Sequence, residues 1–238
     1  MPNGKQFNVP AKKLPVIKRP KGDWRHSFSW RVFRIMSEFV EGFQVLGDFH
    51  KTVTFFGSAR LPEDNKWYQE TRRLAKMLAK QKFSIITGGG PGIMEAANRG
   101  AHDANGESIG LNIQLPMEQR VNPYVKKSIG FHYFFTRKVI LAYSSQAYVF
   151  FPGGFGTVDE LFEILTLIQT KKIFEKIPVV LVGREFWSEM DAWIKKNMIE
   201  KNKVIDPEDM KIYTIVDSAE EAFKIVLRSK RRDEFSHR

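Results

Sequence analysis

The 238-residue chain has no cysteine, which excludes disulfides, thiolate metal sites and a cysteine nucleophile. It has no apolar run long enough to span a bilayer and no signal-type apolar stretch near its start, so a soluble cytoplasmic protein without membrane contact is expected. No glycine-rich stretch runs into the Gly-Lys-Ser/Thr of a P-loop, and the dinucleotide fingerprint is matched only loosely, which disfavours a nicotinamide cofactor. The five histidines, His26, His50, His102, His132 and His237, show no metal-ligand spacing, so neither a metal nor a cofactor is expected. His132, inside an apolar run, reads as a packing residue. Acids are outnumbered, 27 against 38 Lys/Arg, but the imbalance sits at the ends. Residues 1–25 hold seven Lys/Arg and one acid, and residues 228–238 hold five and two, leaving 26 basic and 24 acidic residues between them. With so balanced a middle, nucleic acid is a disfavoured partner, and the tails support nonspecific polyanion contact at most.

What the chain does have is apolar mass: a 42% hydrophobic share with 20 Phe, enough for the core of one α/β domain. Residues 1–25, with four prolines and no periodicity, read as a disordered basic arm. Residues 26–50 read as an amphipathic helical extension. Val32, Met36, Phe39, Phe43 and Leu46 recur there at steps of three and four, a stripe expected to dock on the domain or on a second subunit. From 51 to 227 strand and helix patterns alternate. Strands are predicted at Thr52–Phe56, Phe83–Thr87, Ser108–Ile113, Ala147–Phe151, Val179–Val182 and Ile212–Val216, with a short β-type run at Phe131–Phe135. Helices are predicted at Trp67–Lys80, Ile93–Ala104, Thr136–Ser145, up to about Thr170, and at Phe186–Asn197, with a last one opened by capping-box spacing at Ser218–Glu221. This rhythm implies a Rossmann-like parallel α/β sheet with helices on both faces, followed by a basic tail over 228–238.

In such a sheet, ligands bind outside the carboxyl ends of the strands. Three strand ends carry glycine-rich or polar turns: Gly57-Ser58-Ala59-Arg60, Gly88–Gly92 and Gly153–Thr157. Together they outline a nucleotide-sized cleft. The last belongs to Pro152-Gly153-Gly154-Phe155-Gly156-Thr157-Val158-Asp159-Glu160, a strand-to-helix turn. Its glycines admit a phosphate, its first N–H groups face one, and Thr157 adds a hydroxyl donor. On this reading Asp159 and Glu160 stand in the same first helical turn. An acid there either complements the helix dipole or acts on the ligand, and spacing alone leaves both open. Arg137, in Thr136-Arg137-Lys138, can fork onto a phosphate, a ribose hydroxyl or a carboxylate, or be a surface arginine; Lys138 is a ligand contact or solvated.

Gly88-Gly89-Gly90-Pro91-Gly92-Ile93-Met94-Glu95-Ala96-Ala97-Asn98, the Arg137-Lys138 pair and Pro152–Glu160 together resemble the Lonely Guy (LOG) family, over roughly residues 50–220. Its members often bear a lysine decarboxylase label. The resemblance implies phosphoribohydrolysis: cleavage of the N-glycosidic bond of AMP or a cytokinin riboside 5′-monophosphate into free base and ribose 5-phosphate, by homodimers or dimer-based assemblies. It puts the essential glutamate at Glu160 and the phosphate loop at Gly153, Gly154, Phe155, Gly156 and Thr157, with Arg137 as catalytic partner and Asp159 and Lys138 beside it. Gly57 and Ser58 are expected to contact the substrate; Gly89, Gly90, Gly92 and Met94 are expected on the nucleoside side, with Asn98 behind them and Glu118 and Asn122 in a neighbouring wall. The extension over 1–50 and the longer Asn112–Tyr124 segment depart from the short plant members and match long bacterial ones, so plain AMP is the expected substrate.

The decarboxylase label fits poorly, because pyridoxal phosphate needs a Schiff-base lysine and no strand-end loop here presents one. Related Rossmann-like families include molybdenum-cofactor carriers. A nonhydrolytic nucleotide or cofactor carrier is therefore the alternative, and Glu160 with Arg137 is the feature that separates the two.

Overall fold

Among the described residues, seven short strands, most of them apolar on both faces, pair into one parallel sheet. They are β1 (Thr52–Phe56), β2 (Ser84–Thr87), β3 (Ser108–Ile113), β4 (Lys127–Phe131), β5 (Tyr148–Phe150), β6 (Val179–Val182) and β7 (Tyr213–Val216). The computed structural model describes residues 27–114, 121–173 and 177–230; Glu118 and most of both basic tails lie outside the described residues. The strand order is β4-β3-β2-β1-β5-β6-β7, every neighbouring pair parallel. The chain winds outward from β1 to β4, then returns to the other side of β1 and winds outward again from β5. The switch point therefore falls between β1 and β5, where an open α/β sheet leaves a crevice beyond the carboxyl ends of its strands.

Helices cover both faces, as parallel strands joined by crossovers require. Val53 and Phe55 of β1 point into one core with α2 (Lys66–Lys80), α3 (Ile93–Asp103) and α7 (Ala219–Leu227). Phe56 points into the other, with α1 (Phe28–Gly47), α4 (Phe134–Tyr143), α5 (Phe155–Gln169) and α6 (Arg184–Ile194). All residues of β1, β2, β5 and β6 are buried, which is why those segments read as near-continuous apolar runs.

Three local expectations are corrected. The β-type run Phe131–Phe135 is not a strand beyond Phe131: β4 is Lys127–Phe131, and the aromatic pair Phe134-Phe135 opens α4 instead. β4 is an outer strand with alternating exposure, so its polar residues hid it, while aromatic content advertised β structure where helix forms. The helix predicted to Asn197 stops as an α-helix at Ile194 and continues as a π-helical stretch, Lys195–Lys201. At α7 the Ser218 cap forms, but the Glu221 carboxylate accepts from the Asp217 N–H rather than from Ser218. The stripe on α1 divides: Phe39 and Leu46 join the core, whereas Val32, Met36 and Phe43 are exposed, as are Phe33 and Val40 beside them. Among the described residues no helix is long and apolar enough to cross a membrane.

Candidate active site

The three glycine-rich turns converge at the switch point, and the Ser58 peptide knits them together. Its N–H donates to Pro152 O (3.0 Å) at the end of β5, and its carbonyl accepts from Ile93 N–H (2.9 Å) at the start of α3. The approach is so close that a Cβ at Gly92 would strike the Ser58 carbonyl. Gly92 also holds φ +68° and ψ −129°, a conformation that L side chains rarely adopt. The Ser58 hydroxyl accepts from Arg60 N–H (3.1 Å) within the turn after β1.

The Gly88–Gly92 turn is held by a buried amide network. Thr87 Oγ1 donates to Asn98 Oδ1 (2.7 Å) and accepts from Gly89 N–H (2.8 Å). Asn98 Nδ2 donates to Ser108 Oγ (2.8 Å), and Asn122 Nδ2 lies within reach of Asn98 Oδ1 (2.9 Å), Gly90 O (3.0 Å) and Gly89 O (3.2 Å). Asn98 is 0% exposed. It braces the turn rather than facing the cleft, and Asn122 does the same. Met94 lies across Gly88 and Gly90 and covers this turn.

At the other turn, α5 begins at Phe155 with Gly154 as its N-cap, and no side chain caps it. The Thr157 N–H donates to Gly154 O (3.0 Å), while the N–H groups of Phe155 and Gly156 have no intrahelical acceptor, an arrangement with positive helix-dipole potential that suits an anion. Nothing stands within 4 Å of where a Cβ on Gly154 or Gly156 would lie, and the Phe155 ring is 97% exposed. Thr157 is buried, its hydroxyl folded back over Gly153. The sequence expectation for the acids is corrected here: Asp159 and Glu160 fall in the second turn of α5, and no acid occupies the first. That weakens the dipole explanation, which decays within one turn.

The two acids also part company. Asp159 is exposed and takes the Lys138 ammonium (3.0 Å), which Glu163 holds from the next turn (2.7 Å). Burial works against the Lys138 charge, yet Glu163 and Asp159 together raise its pKa. Glu160 is partly buried, and burial pushes its pKa up to about 7 against the opposing pull of Arg137 and Lys138. The Arg137 guanidinium is partly buried too: Nε donates to Leu111 O (2.8 Å) in β3, and the group lies over Gly88 beside Met94. Burial lowers the Arg137 pKa, with the Glu160 charge working the other way. A carboxyl that burial pushes up to about 7 thus lies within electrostatic reach of the Arg137 cation, on a helix whose start has no side-chain cap.

Of the residues expected from sequence, Gly57, Ser58, Gly89, Gly90, Gly92, Met94, Arg137, Gly153, Thr157 and Glu160 gather at these three turns. Asn98 sits behind them, and Glu118 lies outside the described residues. Missed from sequence were Thr87, the Leu111 carbonyl and Glu163. Glu163 was findable, since it lies four residues after Asp159 on one helical face.

Residues 94–226 match a family described as possible lysine decarboxylase. A probable cytokinin riboside 5′-monophosphate phosphoribohydrolase of Arabidopsis thaliana, LOG6, is 35% identical over 101 residues, 40% of this chain and 49% of that protein. The cytokinin riboside 5′-monophosphate phosphoribohydrolase of Rhodococcoides fascians is 25% identical over 153 residues, covering 63% and 77%. The chain thus matches about half the length of several plant relatives. Among solved structures, the molybdenum cofactor carrier protein of Chlamydomonas reinhardtii superposes with a TM-score of 0.55 at 22% identity, over 75% of this chain and 97% of that one, a likeness of fold alone.

Proposed function

The chain belongs to the LOG family, whose shared domain carries the description possible lysine decarboxylase, and from that premise we propose that it hydrolyses the N-glycosidic bond of a purine nucleoside 5′-monophosphate. The products are free base and ribose 5-phosphate, and AMP is the first substrate to try. The observation that carries this reading is Glu160, its pKa raised by burial and pulled back by Arg137, one turn inside a helix that starts without a side-chain cap.

In this reading the 5′-phosphate sits on the N–H groups of Gly154, Phe155 and Gly156, and its binding energy fixes the ribose. Glu160 stands one turn further along α5, where C1′ would come. A carboxyl with a pKa near the working pH accepts a proton efficiently from water. Water oxygen bonds to C1′ as the bond to the base nitrogen breaks. The base leaves with that electron pair and takes up a proton, while the proton from water passes to Glu160. In the transition state the sugar carries oxocarbenium-like positive charge, which the same carboxylate stabilises. Arg137 orients Glu160 and keeps a useful fraction of it ionised.

Decarboxylation is a poor alternative for this site. Lys138, the lysine at the crevice, is tied to two carboxylates and its pKa is raised, opposite to what a Schiff-base lysine needs. We further infer a homodimer, supported by the exposed Phe28, Phe33, Met36 and Val40 of α1 and by exposed Phe134, Phe135 and Phe155 near the crevice.

The test is to incubate the protein with a panel of nucleoside monophosphates and measure free base and ribose 5-phosphate directly. Tight binding without turnover across the panel would hand the assignment to the carrier reading. Light scattering at micromolar concentration tests the dimer, which a monomer mass would refute.

A further inference from the structure

α4 delivers Arg137 and Lys138 to the crevice, yet it begins without a cap of its own. Its N-cap residue is Tyr133, whose side chain makes no capping bond. In a capping box the residue at the third helical position reaches back to the N-cap N–H. Here that position is Thr136, which is too short to do so.

The missing acceptor comes from the N-terminal extension. Glu38 of α1 is 8% exposed, and its carboxylate accepts from His132 N–H (2.9 Å) and Tyr133 N–H (3.3 Å). Thr136 Oγ1 lies 2.6 Å from Glu38 Oε2 and 2.8 Å from Tyr133 O. A hydroxyl has one proton to give, and the carboxylate is the stronger acceptor. Arg34, four residues earlier on α1, approaches Glu38 only to 4.0 Å from the solvent side, so the backbone bonds carry the contact. One helical turn further, a Cβ at Gly42 would lie 2.7 Å from Ile140 Cγ1, so α1 seats directly against α4. The register between the two helices is thereby fixed at two points.

Arg137 is the residue immediately after Thr136. Its other anchor is Leu111 O in β3. The guanidinium therefore stands where two ties put it, one to the sheet and one, through the α4 start, to α1.

We propose that Glu38 is a positioning residue: by capping α4 from the N-terminal extension, it sets where the Arg137 guanidinium stands relative to Glu160. The extension then belongs to the active site although it touches no substrate. This inference rests on the hydrolase reading for its catalytic consequence, but not for its geometry. The charged groups that act on Glu160 are Arg137 and Lys138 from α4 and Asp159 and Glu163 from α5. The charged side chain that faces Glu38 is Arg34 on its own helix; from the start of α4 it meets backbone N–H groups and the Thr136 hydroxyl.

The experiment compares wild type, Glu38→Ala, Arg137→Ala and the double variant in the full chain. The first readout is titration of the Glu160 carboxyl by carbon-13 NMR, which needs no turnover. When α4 shifts and takes the Arg137 charge away, Glu160 loses its main opposing cation. Its midpoint should rise by roughly one pH unit in Glu38→Ala, and should rise no further when Glu38→Ala is added to Arg137→Ala.

The second readout is ribose 5-phosphate release from AMP. For Glu38→Ala kcat should fall about tenfold to a hundredfold, the cost of a displacement near 1 Å, with KM changed less because the phosphate seat lies on α5. A Glu160 midpoint unchanged in a folded Glu38→Ala protein overturns the inference, as does full additivity with Arg137→Ala. Should Glu38→Ala not fold, Glu38→Gln carries the same titration test, since it keeps the volume and one acceptor and loses the charge. Wild type that releases no ribose 5-phosphate while Glu38→Ala still moves the Glu160 midpoint sinks the hydrolase reading and leaves the positioning role standing.

Discussion

The Gly88–Gly92 and Gly153–Thr157 turns look alike in sequence and do opposite work. The first is closed: Asn98, Asn122 and Thr87 occupy its polar groups, and Met94 covers two of its glycines. The second is open, with no side-chain cap, empty space beside Gly154 and Gly156, and an exposed Phe155. Glycine serves close packing in one and access in the other. A turn whose polar groups are satisfied internally is a wall, and one whose N–H groups are left over is a seat. Substitutions should therefore read out as lost stability at the first and lost ligand handling at the second.

The largest effect is expected beside the open turn. Glu160→Gln should lower AMP turnover by about two to four orders of magnitude, the usual range for an acid or base group. AMP should still bind, since the proposed phosphate seat is intact and a neighbouring negative charge is gone. A wild-type rate of ribose 5-phosphate release would reduce Glu160 to a charge on a helix and remove the contrast between the turns.

The closed turn predicts the next largest effect, on stability alone. Asn98→Ala strips partners from Thr87, Ser108 and Asn122 at once, in a fully buried place. Thermal or urea unfolding should show a loss of roughly 2–4 kcal/mol, because each abandoned buried polar group costs about 1–3 kcal/mol. A loss under about 0.5 kcal/mol would mean the network is replaceable, and the turn not a wall.

Third comes a pH effect. The Glu160 pKa in the folded protein, about 7, lies above its ordinary value of 4.5. A raised carboxyl pKa means that its contribution to stability is fully present below the unfolded value and is lost as pH rises through the folded one. Glu160→Gln should therefore match wild type near pH 4 and be more stable at pH 8. The upper bound set by the shift is about 3 kcal/mol, and solvent access reduces it to roughly 1–2 kcal/mol. Equal stabilities at pH 8 would show that Glu160 is solvated, and that the crevice does not tune it.

The same contrast explains what could be read from the sequence. Alternating apolar strands and amphipathic helices revealed the Rossmann-like sheet, because periodicity reports burial directly. Arg137 and Glu160 were legible because each stands in a short motif at a strand end. Helix register was not: Gly-Gly-Phe-Gly has such poor helix propensity that α5 seemed to start later, which put Asp159 and Glu160 a turn too early. The role of Asn98 was not legible either. Its partners come from β2, β3 and the segment before β4, and only the folded sheet assembles them. Glu38 is the extreme case, since it meets its partners 94 to 98 residues away.

The smallest effect in stability should be the most informative about the open turn. Gly154 has φ −91° and ψ −158°, extended backbone open to any residue, and a Cβ there would meet nothing within 4 Å. Alanine should therefore fit without strain. Two small terms oppose each other: alanine is a poorer N-cap than glycine, while it restricts the unfolded chain and so favours folding by about 0.4–1 kcal/mol. The net change in unfolding free energy should stay within roughly 0.5 kcal/mol. Ligand binding should respond differently, because the new methyl projects beside the N–H groups that hold the phosphate in this reading. Calorimetry should show AMP affinity reduced by about tenfold or more, since displaced phosphate contacts are charge-assisted hydrogen bonds worth about 1.5–3 kcal/mol each. Adenosine, which has no phosphate to displace, should bind as it does to wild type. If AMP affinity is unchanged in Gly154→Ala, the phosphate does not sit at the start of α5, and the space beside Gly154 is only room.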